Sequence, residues 1–146
     1  MSAARTSPDW HVLAVGDELP TLASELTATH IVAGAIATRD FMPVHHDRGY
    51  AQAQGAPDIF MNILSTNAHC SRWLTDWAGP DAMVRRLAIR LGVPLLPGAT
   101  LTFTGTITGL EADGDEGRVD IEFRATTDSG DHVTGTATVT LPLDRD

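Results

Sequence analysis

The stretch RDFMPVHHDRGYAQAQG, residues 39 to 55, sets Asp40 five positions ahead of His45 with Pro43 between them. A carboxylate and an imidazole brought together this way are a candidate catalytic pair for general acid–base work. The same residues have a plain structural use. An acid just before a proline turn serves as the N-cap of a helix that starts at Pro43, where a missing N–H costs nothing. The local pattern leaves both readings open. His46 and Asp47 follow at once, and on a helix they face away from His45, toward solvent or in support of it. No distant carboxylate or histidine stands at a convincing ligand spacing from this HHD run, so no metal site is expected.

Composition narrows the chemistry further. A chain of 146 residues, 42% of them hydrophobic, is long enough to bury one core and is read as a single domain over 1–146, with 1–18 as a loosely ordered N-terminal extension. No apolar run reaches the roughly 20 residues that a membrane span needs, and the N-terminus carries no secretory pattern, so a soluble, cytoplasmic protein is expected. A net charge of −9 speaks against a nucleic-acid surface, which needs clustered cations. All ten basic residues are arginines; a chain without lysine has neither a Schiff base nor a P-loop lysine. One cysteine, Cys70, allows no internal disulfide. Arg85, Arg86 and Arg90 gather in VRRLAIR and are the candidates for binding a phosphate, or else solvated charges on a strand edge.

Positioning the Asp40/His45 stretch are elements read from periodicity. Residues 27–38, TATHIVAGAIAT, rich in β-branched residues, read as a strand. In PDIFMNILSTNAHCSRWLTDWAGP, Ile59, Ile63, Leu64, Cys70, Trp73, Leu74 and Trp77 recur mostly at three, four or seven. That is a helix of about five turns, with Asp58 as its cap and Gly79-Pro80 as its stop. His69 reads as a packing residue on it, and Trp73 and Trp77 as core or interface. From residue 83 onward four alternating segments are separated by LPG, DGDEG and DSGD, giving consecutive antiparallel strands. The fold class is α+β: one long helix packed on an antiparallel sheet.

This order, with an acid and a histidine between first strand and long helix, resembles the hotdog fold of the MaoC-like enoyl-CoA hydratases. Their motif of acid, any residue, Asn, Pro, aliphatic, His is matched by Asp40, Pro43, Val44 and His45, with Met42 in place of the asparagine. ATRDF, VHHDR, AQG, DIF, NIL, TDWAGP, IRLGVP and GDHVT further resemble the small catalytic subunits of the heteromeric MaoC-type hydratases of actinobacterial steroid side-chain degradation, over most of residues 35–138. The resemblance implies addition of water across the α,β double bond of an enoyl-CoA thioester. Asp40 and His45 would be the catalytic pair, with no cofactor beyond the coenzyme A of the substrate. It implies a larger MaoC-like partner in a heterodimer or heterotetramer.

The enolate oxygen needs donors, and the free N–H groups expected near Phe60 and Met61 at the helix start are the candidates. Many MaoC-like enzymes carry His-Gly there. Asn62 is a further candidate for contact with the thioester, and Arg85, Arg86 and Arg90 for the coenzyme A phosphates. Two other functions stay open: a hotdog acyl-CoA thioesterase, and a non-catalytic subunit that supports its partner's site.

Overall fold

The computed structural model describes residues 6–144. Five strands, β1 (Leu22–Leu26), β2 (Met83–Leu91), β3 (Ala99–Asp113), β4 (Glu116–Thr127) and β5 (Gly130–Pro142), form one antiparallel sheet in the order β1-β3-β4-β5-β2. Three helices, α1 (Ala28–Ala37), α2 (Arg48–Ala53) and α3 (Ile63–Ala78), lie between β1 and β2, together with a 3-10 turn over Pro43–His45. The sheet buries one face on α3. This is the hotdog architecture of an α+β domain.

Alternation sets the long strands. Along β4, Val119, Ile121, Phe123 and Ala125 are buried while Arg118, Glu122 and Arg124 are exposed, so one face meets the helix and the other meets water. Trp73 of α3 is the centre of the core. Its indole stacks on Phe103 with ring centroids 5.5 Å apart, lies 5.6 Å from Phe123, and donates its N–H to the Pro20 carbonyl over 2.9 Å. Gly105 and Gly135 flank Phe123 in the neighbouring strands. A Cβ at 105 would stand 2.5 Å from the Trp73 ring, and one at 135 would stand 2.6 Å from the Phe123 ring. Both glycines make room for aromatic rings.

The structure departs from the sequence-based expectation in three places. Residues 28–37 form helix α1, not a strand. Thr27 Oγ1 accepts the His30 N–H and His30 Nδ1 accepts the Thr27 N–H, a reciprocal cap, and the buried pair Ile31 and Ala35 has helical spacing. The first strand lies earlier, at Leu22–Leu26. Helix α3 also starts later than expected. Its N-cap is Asn62, whose Oδ1 accepts the Ser65 N–H over 3.2 Å, whereas Asp58 bonds the Ile59 N–H and pairs with Arg48. Of the expected loose extension over 1–18, residues 1–5 lie outside the described residues. Trp10 donates its indole N–H to the Arg118 carbonyl, Gly16 and Asp17 exchange backbone hydrogen bonds with Ile107, and Glu18 bridges Thr106. Residues 10–18 are thereby fastened to the sheet.

Among the described residues no helix is long and apolar enough to cross a membrane. Because the rings around Trp73 fill their space, Gly105→Ala is expected to cost about 1–3 kcal/mol of stability through overpacking. Thermal unfolding read by tryptophan fluorescence checks this; a variant with unchanged melting and emission would contradict it.

Candidate active site

Helix α1 ends in a tight cap that aims Asp40. Thr38 is the C-cap, Arg39 adopts φ 58°, its N–H donates to the Ile36 carbonyl over 3.0 Å, and the Asp40 N–H reaches back to the Ala35 carbonyl over 2.9 Å. This is the Schellman arrangement, with an arginine where glycine is usual, at a cost of roughly 1–2 kcal/mol. The reversal leaves Asp40 facing the start of α3. Asp40 is not a helix cap: Oδ1 accepts the Met42 N–H over 3.3 Å, and the acid that caps the following helix is Asp47, which accepts the Tyr50 N–H. Met42 is 49% exposed.

His45 sits in the 3-10 turn, 7% exposed, with its ring edge-on to Phe60 at 5.0 Å. Nδ1 lies 2.7 Å from the Phe60 carbonyl oxygen. A carbonyl only accepts, so Nδ1 carries the proton. In the neutral ring Nε2 is therefore a bare lone pair, and it stands 3.4 Å from Asp40 Oδ2. The same Oδ2 accepts the Asn62 side-chain amide over 3.1 Å. That hydrogen bond holds the Asp40 carboxyl below its ordinary range; the Met42 N–H and nearby His45 act in the same sense, and partial burial acts against them. The carboxylate is thus ionised at neutral pH.

The pair opens onto a cleft of about 620 Å³ whose walls include Val44, Phe60, Met61, Ile63, Leu91 and Pro94, and whose polar side chains are Asp40, His45, Gln54, Asn62 and His132. An apolar wall with a few convergent polar groups is the usual form of a small-molecule site. When the His45 ring is neutral, its Nε2 and the Asp40 carboxylate are two acceptors 3.4 Å apart, an arrangement that suits a molecule that donates twice, and water is the smallest such donor.

Other candidates lie differently from expectation. Phe60 and Met61 precede α3, and both amides are engaged, Phe60 N–H with the Val44 carbonyl at 3.4 Å and Met61 N–H with the Leu95 carbonyl at 3.1 Å. The amides that a helix start leaves without an intrahelical carbonyl belong instead to the first turn, where Ile63 lines the cleft. Arg85, Arg86 and Arg90 do not line the cleft. Arg85 is bound to Glu116 and to Thr140 Oγ1, while Arg86 and Arg90 pair with Thr138 and Thr134 of β5, and Arg90 lines a separate groove with Arg124 and Glu122. Strand pleating turns Arg86 and Arg90 away from the helix side, and Arg85 is the extra residue where the β2–β5 register shifts between Val84 and Arg86. Cys70 is buried, and desolvation pushes its thiol up to about 12, so it stays protonated. Among the described residues no group of three or more His, Cys, Asp or Glu side chains is placed to hold a metal ion.

His132 was not among the expected site residues. The β4–β5 register shifts between Ala125 and Thr126, leaving His132 as the extra residue of a bulge, which turns its side chain inward beside Val133. Its Nδ1–H donates to the Val93 carbonyl over 2.7 Å and its Nε2 accepts the Thr66 hydroxyl over 2.9 Å. It ties the loop after β2 to the first turns of α3. Alternation gives no sign of it, since a bulge is invisible to period two.

No family model matches the chain. It is 42% identical over 127 residues to the 3-oxo-4,17-pregnadiene-20-carboxyl-CoA hydratase beta subunit of Mycobacterium tuberculosis, a match that spans 87% of this chain and 95% of that protein. The crystal structure of the ChsH1-ChsH2 complex from Mycobacterium tuberculosis superposes with a TM-score of 0.82 at 43% identity, covering 88% of this chain and 98% of the chain compared. A MaoC-like dehydratase from Rhodospirillum rubrum superposes with a TM-score of 0.81 at 21% identity over 93% of this chain and 97% of its own, which shows the shared fold.

Burial holds His132 below the ordinary imidazole value of 6.5, against the Val93 carbonyl, and burial followed by the charge of Arg72 does the same to His69. Below about pH 6.5 the unfolded chain takes up protons that these folded rings refuse. Stability is full above that pH and falls as pH drops, by at most about 1.4 kcal/mol per pH unit for each ring. His132→Asn should lessen the fall in melting temperature between pH 7.5 and 5.5; an equal fall in both proteins would contradict this.

Proposed function

The chain belongs to the MaoC-like hydratases of the hotdog fold, and from that premise we propose that it is a catalytic subunit that adds water across the α,β double bond of a trans-2-enoyl-CoA. The observation that carries this reading is the approach of Asp40 Oδ2 to His45 Nε2, 3.4 Å apart, with the far side of the imidazole fixed on the Phe60 carbonyl. One water donates an O–H to each acceptor. Its oxygen lone pairs are then turned outward, toward an acyl chain in the cleft.

As that oxygen bonds to Cβ, one of the two acceptors takes the water proton, and the C=C electron pair moves through Cα to the thioester oxygen. The enolate collapses when Cα takes a proton from the pair, on the face where water entered. Free first-turn amides of α3, with Ile63 at the cleft, and the positive end of the helix offer stabilisation to the developing oxyanion. The apolar walls suit a hydrophobic acyl group, and the 3-oxo-4,17-pregnadiene-20-carboxyl-CoA for which the Mycobacterium tuberculosis relative is named points to a steroid side-chain thioester.

A partner of the same fold completes the reading. Strand β2 ends the sheet as an open edge, and Ile63, Leu64, Met83 and Leu91 are exposed large apolar residues on α3 and β2; a second hotdog chain would cover them, as the ChsH1-ChsH2 complex suggests. The arginines of β2 lie away from the cleft, so the coenzyme A phosphates would rely on that partner.

The test is to purify the chain with a larger MaoC-like partner and follow loss of the conjugated enoyl absorbance. Asp40→Asn and His45→Ala should each lower turnover about 10²–10⁴-fold. Normal turnover in both variants would move the chemistry to the partner. Release of free thiol without loss of the double bond would identify a thioesterase instead.

A further inference from the structure

Asn62 is 2% exposed, and its side chain joins three segments that meet at the cleft. Oδ1 accepts the Ser65 N–H over 3.2 Å and so caps α3. The two amide protons go to Thr38 Oγ1 at 2.9 Å, in the cap of α1, and to Asp40 Oδ2 at 3.1 Å. Thr38 in turn passes its hydroxyl proton to the Gly34 carbonyl over 2.8 Å. This chain of donors allows one orientation of the amide: the reverse would set Oδ1 against the carboxylate and Nδ2 against the Ser65 N–H. With both protons engaged, Asn62 has none left for a substrate carbonyl, and the thioester contact expected from the sequence is replaced by a different task.

We propose that Asn62 is a positioning residue for the hydration, a single side chain that starts α3 and clamps Asp40, so that the aim and the ionised state of the carboxylate depend on the helix being in place. This rests on the reading of Asp40 as one of the two groups that hold the water. Capping alone does not require asparagine, because Ser and Asp cap equally well. What only the amide adds is a donor to Asp40. Met42, at the motif position where asparagine is usual, is turned to solvent, so this amide comes from the helix start and not from the motif.

The titratable group facing Asp40 from the 3-10 turn is His45; Arg39 is its exposed chain neighbour, and His132 from β5 also lines the cleft. From α3 the facing group is Asn62 itself, which does not titrate. Removing the amide donor should therefore raise the Asp40 carboxyl, and replacing it with a carboxylate should raise it further.

The experiment compares Asn62→Ser and Asn62→Asp with the parent, each as full chain with its partner subunit. Both variants retain a cap, so melting temperatures should stay within a few degrees. The acid limb of kcat/KM is expected to move up by about one pH unit, more in Asn62→Asp. kcat should fall about tenfold or more with KM changed less than about twofold, the mark of an interaction that matters in the transition state. Carbon-13 titration of the Asp40 carboxyl gives a readout without turnover and should show the same rise. An unmoved Asp40 titration in Asn62→Ser overturns the clamp. Retained turnover in Asp40→Asn overturns the reading of the catalytic pair instead, and the carboxyl titration still decides the clamp; if Asn62→Asp fails to fold, Asn62→Ser alone decides it.

Discussion

The hydrogen bond from His45 Nδ1 to the Phe60 carbonyl, 2.7 Å long, decides what the other edge of the ring can be. With its proton committed there, a neutral His45 shows Asp40 a bare nitrogen, and the two groups can be joined only by a third that brings protons. The carbonyl is itself held firmly. Phe60 N–H bonds the Val44 carbonyl, one residue before the histidine, and Met61 N–H bonds Leu95 in the loop before β3. A shift in residues 60–61 would move the imidazole and the mouth of the cleft together.

Behind this lies α3, and behind α3 the packing of Trp73 on Phe103 and Phe123 with glycines on either side. Those contacts lie far along the helix from its N-terminus. They fix the helix axis, and a fixed axis places the Asn62 cap, the free first-turn amides and the wall at Ile63. The opposite wall is set by His132, which reaches from a bulge in β5 to the Val93 carbonyl and to Thr66. Two buried polar side chains, one at each wall, thus do what apolar packing does elsewhere, but with direction, since a hydrogen bond constrains angle as well as distance.

Much of this was legible in the sequence and some was not, for physical reasons. Alternation and turn clusters gave the four long strands because each strand has one buried face. The spacing from Asp40 to His45 with Pro43 between them was legible because a turn there leaves the chain few paths. Helix α1 reads as a strand because its Ile, Val and Thr favour extended backbone, and the cap from Thr27 to His30 with the buried pair Ile31 and Ala35 outweighs them. Asp58 reads as the cap of α3, yet Asn62 takes that place, and tertiary bonds make the choice, Asp58 to Arg48 and Asn62 to Asp40. The clustering of arginines in β2 suggests an anion site or solvated strand-edge charges, and strand parity sets Arg86 and Arg90 on one face and Leu87 and Ile89 on the other. His132 and the task of Asn62 depend on a bulge and on contacts across 24 and 22 residues, which no local pattern carries.

The central claim is that Asp40 and His45 share one water aimed at an acyl chain. A high-resolution crystal structure of the assembled protein with a saturated acyl-CoA, which cannot react, tests it most directly. The account predicts one ordered water within hydrogen-bonding distance of both Asp40 Oδ2 and His45 Nε2, facing the β-carbon of the acyl group. An acyl chain whose β-carbon lies away from this pair, or a direct Asp40–His45 contact that leaves no room for the water, would contradict it.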